Sequence, residues 1–365
     1  MKVAVIGSSP LALLDAVDAA AAGHDVTVFE ATAGLGGAWG VTTFAGFADV
    51  EIGCHLLERE SRGYRRLEAA GVELLPLDPQ PVTALRPGLH QAYASPAVAG
   101  VRLAYQPVAR ALRPSSATPA EWKRRRALAA KEFRDALTDR SPVLGPVGGA
   151  GQMVASLSAT ARACGVQIRT ETAVRFIDLS DRPPVVRLDK GSETFDRVVI
   201  TAAYDPAGLL MDGSPVDGEV RRRRFEHRLL AMPADTVTAH SYWRFPRDAV
   251  LQRSSLITPN ARRETADPGI ELVLVSVVPD ENPSVADLLR CLARYGLIEA
   301  NATPVDHRAI DYVGVDATDA LEAALGRRHD VVVRRSYGDL IRSIVNLPRL
   351  GTADSDHRFR TERAS

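Results

Sequence analysis

Lys2-Val3-Ala4-Val5-Ile6-Gly7-Ser8-Ser9-Pro10-Leu11-Ala12 and, past an alanine-rich stretch, Asp25-Val26-Thr27-Val28-Phe29-Glu30 decide the fold of this chain. Val3 to Ile6 is short, apolar and rich in β-branched residues, the composition of a strand buried on both faces. Leu13 to Ala22 has apolar spacing and many alanines, which predicts a helix, and Gly23 stands where a C-cap belongs. Asp25 to Phe29 predicts a second strand, closed by Glu30. Strand, tight turn, helix, strand, acid is the order of a Rossmann βαβ unit. It predicts an α/β fold: a three-layer dinucleotide-binding domain built on a parallel sheet.

The turn sets main-chain N–H groups at a helix N-terminus, where the dipole and the unpaired donors favour a pyrophosphate. Glu30 suits a ribose hydroxyl pair and would repel a 2′-phosphate, so the adenosine of FAD or NAD is expected, and not that of NADP. The glycine fingerprint is altered. Gly7 keeps the first position, Ser9 replaces the second glycine, and Ala12 takes the third as an accepted variant. The Cβ of Ser9 narrows the approach to a pyrophosphate. Pro10 is tolerated at the first helical position, where its missing N–H would be unpaired anyway, and Leu11 follows it into the helix.

Gly34-Leu35-Gly36-Gly37-Ala38-Trp39-Gly40 comes soon after the acid and lets backbone approach a second part of a cofactor. Here the sequence resembles the flavin-dependent family of amine oxidases, protoporphyrinogen oxidases, phytoene desaturases and UDP-galactopyranose mutases. Its members set an acid, a short spacer and a Gly-Gly pair directly after the βαβ unit, as Glu30 and Gly36-Gly37 do. Ala38-Trp39 replaces the Arg that usually follows the pair. The resemblance implies FAD as cofactor, with an α+β substrate domain inserted into the cofactor domain. Glu51-Ile52-Gly53-Cys54-His55-Leu56 looks like the Gly-x-His segment that passes the isoalloxazine in the mutases, which makes His55 the flavin-proximal candidate. Cys54, adjacent on an extended segment, points the other way and reads as core.

The family order resumes later. Gly145-Pro146-Val147-Gly148-Gly149 precedes a helix over Met153 to Cys164, then a strand at Val166 to Arg169 and another at Ala173 to Ile177. By position, Val174 is the residue whose backbone would pair with the adenine. Phe195 to Ala203 resembles the strand that returns beneath the cofactor and ends in small residues, Ala202 among them. Thr236 to Phe245 and Glu271 to Val278 read as strands, and Val285 to Tyr295 as an amphipathic helix. Tyr242 and Trp243 are candidates to line a substrate pocket, and only one of two adjacent strand residues can do so. Val331 to Val333 reads as a strand and Tyr337 to Val345 as a helix. Arg335 and Tyr337 loosely resemble the turn that brings the mutases back to the flavin. The expected division is a cofactor domain of residues 1–60, 142–205 and 316–351, a substrate domain of 61–141 and 206–315, and a disordered polar tail over 352–365. Residues 61 to about 140 read as helices and loops with Pro-rich joints, including a charged helix from Trp122 to about Leu137.

The 365 residues suffice for two joined domains. With 45 basic and 45 acidic residues the chain lacks the basic excess of a nucleic-acid binder, so no nucleic-acid partner is expected. The basic runs Lys123 to Arg126 and Arg221 to Arg224 read as solvated helix faces or turns. Cys54, Cys164 and Cys291 are too scattered for a disulfide framework or a zinc site, and no metal is expected. The first strand begins at once, with no leader ahead of it, and no apolar run is long enough to span a membrane, so a cytoplasmic protein is expected. Three functions fit. The leading one is oxidation or desaturation of a small organic substrate by hydride transfer to FAD. The others are a redox-neutral, mutase-like reaction on a nucleotide sugar, and a cofactor-poor binding module.

Overall fold

The structure is a computed structural model. It describes residues 1–53, 57–58, 62–78, 81–92, 143–180, 182–201, 208–211, 213–216, 220–245, 248–278, 281–317 and 331–335, with positions 104, 130, 325, 328 and 330 besides. One sheet is all parallel, in the order β7 (Gln167–Arg169), β2 (Asp25–Phe29), β1 (Lys2–Ile6), β10 (Arg197–Thr201), β16 (Val332–Arg335). Its central strands are buried on both faces: Val3, Ala4 and Val5 have no exposed surface. That is why the first residues read as an uninterrupted apolar run. On one face α1 (Pro10–Ala21) packs against α3 (Gly149–Ala163) through Leu11, Leu14, Met153, Val154 and Leu157. On the other, the antiparallel ribbon β8 (Val174–Asp178) and β9 (Val185–Leu188) brings Ile177 and Val186 against Phe29 and Ile200. Helices, parallel sheet and ribbon make the three layers. The short helix α2 (Arg62–Ala69) is fastened to α1 by Arg66, which pairs with Asp15 at 2.7 Å and Asp18 at 2.9 Å.

A second sheet has seven strands in the order β15 (Asp306–Ala317), β11 (Val220–Pro233), β14 (Ile270–Val277), β13 (Leu251–Leu256), β12 (Trp243–Arg244), β5 (Val82–Arg86), β6 (Leu89–Ala92). Its side chains alternate between faces. Leu230, Met232, Val273 and Val275 pack under α4 (Val285–Arg294), whose Ser284 and Asp287 form a capping box. Leu229, Ala231, Leu272 and Leu274 face the other way, against Phe44 of β3 (Val41–Phe44) and Phe47 and Val50 of β4 (Phe47–Glu51). The β3–β4 ribbon runs directly on from the second glycine cluster. It therefore joins the two sheets, with the dinucleotide turn on one side and the inner face of the large sheet on the other.

Several expectations change. Arg221 to Arg224 lies within strand β11, hydrogen-bonded to β15, where a helix face or turn was predicted. Strand alternation is invisible in a run of identical charges. Of Thr236 to Phe245 only Trp243–Arg244 pairs as a strand. Pro233 ends β11, and a 3-10 turn at Ala234–Thr236 follows, with the Thr236 hydroxyl donating to the Pro233 carbonyl at 2.8 Å. Between 61 and 141, read as helices and loops, the hairpin β5–β6 extends the large sheet. The helices α1 and α3 start at Pro10 and Gly149, earlier than the apolar spacing alone suggested. The segments Trp122–Leu137 and Tyr337–Val345 and the tail from 352 lie outside the described residues, save position 130.

Candidate cofactor site

Gly7 follows β1 with φ of 92°, and a Cβ there would lie 2.8 Å from the Thr201 hydroxyl at the end of β10. The first glycine is thus required by the closeness of two parallel strand ends as well as by its backbone conformation. Ser9 is the N-cap of α1, its hydroxyl accepting a long 3.4 Å bond from the Ala12 amide. Pro10 has no N–H, and the Leu13 amide bonds the Ser9 carbonyl at 2.9 Å. The cap therefore closes part of the helix start that the fingerprint glycine would leave open, and the Leu11 amide remains at its mouth.

Glu30 is only 8% exposed. Its Oε2 accepts from the Ser8 amide at 3.1 Å and the Ser8 hydroxyl at 2.6 Å, while Oε1 accepts from the Thr32 amide at 3.0 Å. The Thr32 hydroxyl lies 2.9 Å from Glu30 Oε1 and 2.8 Å from the Gly34 carbonyl. One hydroxyl proton cannot serve both, so one acceptor there is left for another donor. A ribose hydroxyl meets that requirement. Ser8 also accepts from the Gly36 amide at 3.0 Å, tying the first glycine turn to the second cluster. Beyond it Gly37, with φ of 58°, is open among the described residues: none of them lies within 4 Å of where its Cβ would stand. Here a ligand can approach the main chain without obstruction. The residues present fit a dinucleotide.

The remaining predicted site residues fall into three groups. Ala38 is exposed beside Gly37, whereas Trp39 is 2% exposed and packs with Leu11, Met153 and Val154. Its side chain is part of the core. Val174 opens β8 two residues beyond Thr172, whose amide bonds the Glu30 carbonyl at 2.8 Å. The adenosine-side candidates are therefore brought together. Tyr242 is buried on the inner face of the large sheet with Phe44 and Phe47, and Trp243 lies on the opposite face with the α4 core. Arg335 sits in the parallel sheet, its backbone paired with Thr201. Cys54, His55, Ala202 and Tyr337 lie outside the described residues.

Sequence reasoning missed Ser8, Thr32 and Thr201, which support the turn, and it missed the role of Glu51. Glu51 is 4% exposed; its Oε1 accepts from the Ala150 amide at 2.8 Å and the Asn260 side-chain amide at 3.2 Å. Burial pushes its pKa up to about 7, against the lowering effect of those two bonds. Two helices follow glycine-containing turns. The start of α3 is closed by this internal acid, while that of α1 opens toward Glu30 and the glycine cluster. Among the described residues no three His, Cys, Asp or Glu side chains converge as a metal site, and no helix is long and apolar enough to cross a membrane.

The fold is an α/β fold of the dinucleotide-binding kind. The model of the family "Flavin containing amine oxidoreductase" matches residues 120–284. Over this stretch the chain resembles a flavin-containing amine oxidoreductase family, and Glu30 and Gly36-Gly37, which carried the same resemblance in the sequence, lie outside it. A UDP-galactopyranose mutase in its reduced form superposes with a TM-score of 0.64 at 14% identity, over 94% of this chain and 89% of that one. Putrescine oxidase bound to putrescine gives 0.61 at 16% identity, over 95% and 96%. An oxidoreductase from Methanosarcina mazei gives 0.61 at 16% identity, over 85% and 87%. At these identities the superpositions establish the fold. No curated protein sequence matches the chain.

Proposed function

We propose that the chain is an FAD-dependent oxidoreductase that oxidises or desaturates a small organic substrate. The observation that carries this reading is the continuous path from Gly7 through Glu30 and Ser8 to Gly36-Gly37, with an acceptor left at Glu30 or at the Gly34 carbonyl beside it and open main chain at Gly37. Glu30 would hold the ribose, the Leu11 amide and the Gly36-Gly37 main chain the pyrophosphate, and Val174 the adenine. His55, in the segment that follows Glu51, is the candidate beside the flavin. When bound, the flavin supplies the hydride acceptor. The protein's part is to hold it against the inner face of the large sheet and to keep water from the reacting C–H bond. On this reading residues 1–60, 142–205 and 316–351 form the cofactor portion, and 61–141 and 206–315 the substrate portion.

The test is anaerobic bleaching of the protein's flavin absorbance by a panel of amines and unsaturated precursors without added reductant. Bleaching by one of them supports the oxidase. Turnover of a nucleotide sugar only after the flavin has been reduced would replace it with the redox-neutral reading.

A further inference from the structure

Glycine contacts wedge the start of α3 against the second glycine cluster and the ribbon that leaves it. A Cβ on Gly149 would lie 2.8 Å from Asn260 Cβ and 2.9 Å from Glu51 Oε1. On Gly151 it would lie 3.1 Å from Val41 Cγ1, and on Gly36 3.0 Å from Val154 Cγ2. Approaches this close leave room only for glycine. Trp39 packs on Met153 and Val154 of the same helix. The 3-10 turn Gly37–Trp39 therefore rests on α3, and it closes where the Gly40 amide donates to the Gly37 carbonyl at 2.9 Å. Val41 comes next, and backbone register sets it directly opposite Glu51.

Glu51 holds this wedge together. Its Oε1 accepts from the Ala150 amide in the first turn of α3 and from the side-chain amide of Asn260, which ends the 3-10 turn Thr258–Asn260 between β13 and β14. The N-cap of α3 is Gly148, which offers no side chain, so a distant acid takes the place of a local cap. Burial disfavours its charged form and brings its pKa up to about 7, and no charged side chain contributes to that shift. Among the described residues, β3, the Thr258–Asn260 turn and the first three turns of α3 carry no titratable group. The charges nearby are otherwise engaged. Asp49 of β4 pairs with Arg262 at 3.1 Å, Arg262 with Glu264 at 2.8 Å, and Arg263 lies over the Phe47 ring at 4.7 Å.

We propose that Glu51 is a positioning residue for the cofactor: by clamping Ala150 to Asn260 it fixes α3, and through α3 the turn at residues 36–40 that the FAD diphosphate would approach. The proposal rests on the flavoenzyme reading for the identity of that ligand. The clamp is also linked to protons. A diphosphate at the turn repels an ionised Glu51 and favours the neutral carboxyl. FAD binding then takes up a proton, so affinity is full below the Glu51 pKa of the free protein and falls as pH rises through it. With its proton on Oε2 the carboxyl keeps Oε1 for both amides.

The experiment measures the dissociation constant of FAD for the full-length apoprotein from about pH 5.5 to about pH 8.5, on both sides of the Glu51 pKa. Calorimetry in buffers of different ionisation enthalpy reads the protons taken up, and denaturant unfolding reads the stability of each sample. The parent should lose about ten-fold in affinity across this range, the effect of one pKa unit, with proton uptake on binding. Glu51→Gln keeps an acceptor for both amides. It should bind like the parent at the acid end, with a flat profile and less proton uptake. Asn260→Ala removes a donor that lowers the Glu51 pKa, so the fall should move to higher pH. Glu51→Ala should weaken binding about ten-fold at every pH, the loss of a buried hydrogen-bonded anchor; if it does not fold, the other two variants decide. A parent flat in pH, a fall that persists in Glu51→Gln, or variants that lose stability while keeping the parent's affinity and profile overturn the proposal and leave the flavin reading standing. A chain that takes up no FAD at any pH overturns both.

Discussion

Glu30 and Glu51 show how surroundings give one residue type two tasks. Glu30 is surrounded by hydroxyl and amide donors, and the Thr32 hydroxyl can satisfy either it or the neighbouring Gly34 carbonyl but not both. Glu51 is sealed between the Ala150 amide and Asn260. Its raised pKa is a stability statement. Below about pH 4.5 folded and unfolded chains both hold the proton. Between 4.5 and about 7 the unfolded chain loses it and the folded chain keeps it, so stability falls across that window by about 3 kcal/mol. Glu51→Gln keeps the acceptor oxygen and removes the titration. It is expected to melt higher than the parent above pH 7 and alike near pH 4.5; parallel melting curves from pH 4.5 to 8 would refute this. Gly7 makes a different prediction. Gly7→Ala places a Cβ 2.8 Å from the Thr201 hydroxyl at a positive φ. It should therefore lower stability by about 1–3 kcal/mol as well as weaken flavin retention. Denaturant unfolding separates the two effects, and a variant that lost flavin at full stability would contradict this account of the first glycine.

At the scale of elements, α1 carries the compromise at the site. Ser9 caps the helix but places a Cβ where the fingerprint has none. Ser9→Gly should cost only a few tenths of a kcal/mol of stability and tighten FAD binding, measured as the dissociation constant of the reconstituted apoprotein. Unchanged or weaker binding would show that the serine does not obstruct the pyrophosphate. What could be read in the sequence follows the same division. The βαβ unit, Glu30 and the Gly36-Gly37 pair were legible because their signals are local: an apolar run, a turn, an acid at fixed spacing. The long strand β11 was not, because Arg221 to Arg224 hides its alternation and its ladder partners come from β14 and β15, far along the chain. Glu51 and Asn260 stand 209 residues apart, and nothing in either neighbourhood announces the other.

Among the described residues, the parallel sheet and the seven-stranded sheet are linked through the β3–β4 ribbon. Besides the Phe44 and Phe47 core, Arg308 of β15 donates to the Thr43 carbonyl at 2.8 Å, and Arg262 pairs with Asp49 at 3.1 Å. These contacts fix the glycine cluster, which leads straight into β3, against the inner face of the large sheet. On the proposed reading the chemistry occurs between that cluster and the inner face of the large sheet. The most direct test of this arrangement is the absorbance spectrum of the protein purified from flavin-sufficient cells, with the released cofactor quantified, for the parent and for Glu30→Ala. The account predicts a yellow parent holding close to one FAD per chain and a Glu30→Ala variant that retains much less. A colourless parent that takes up no FAD on reconstitution, or a variant that holds flavin as tightly as the parent, would contradict it.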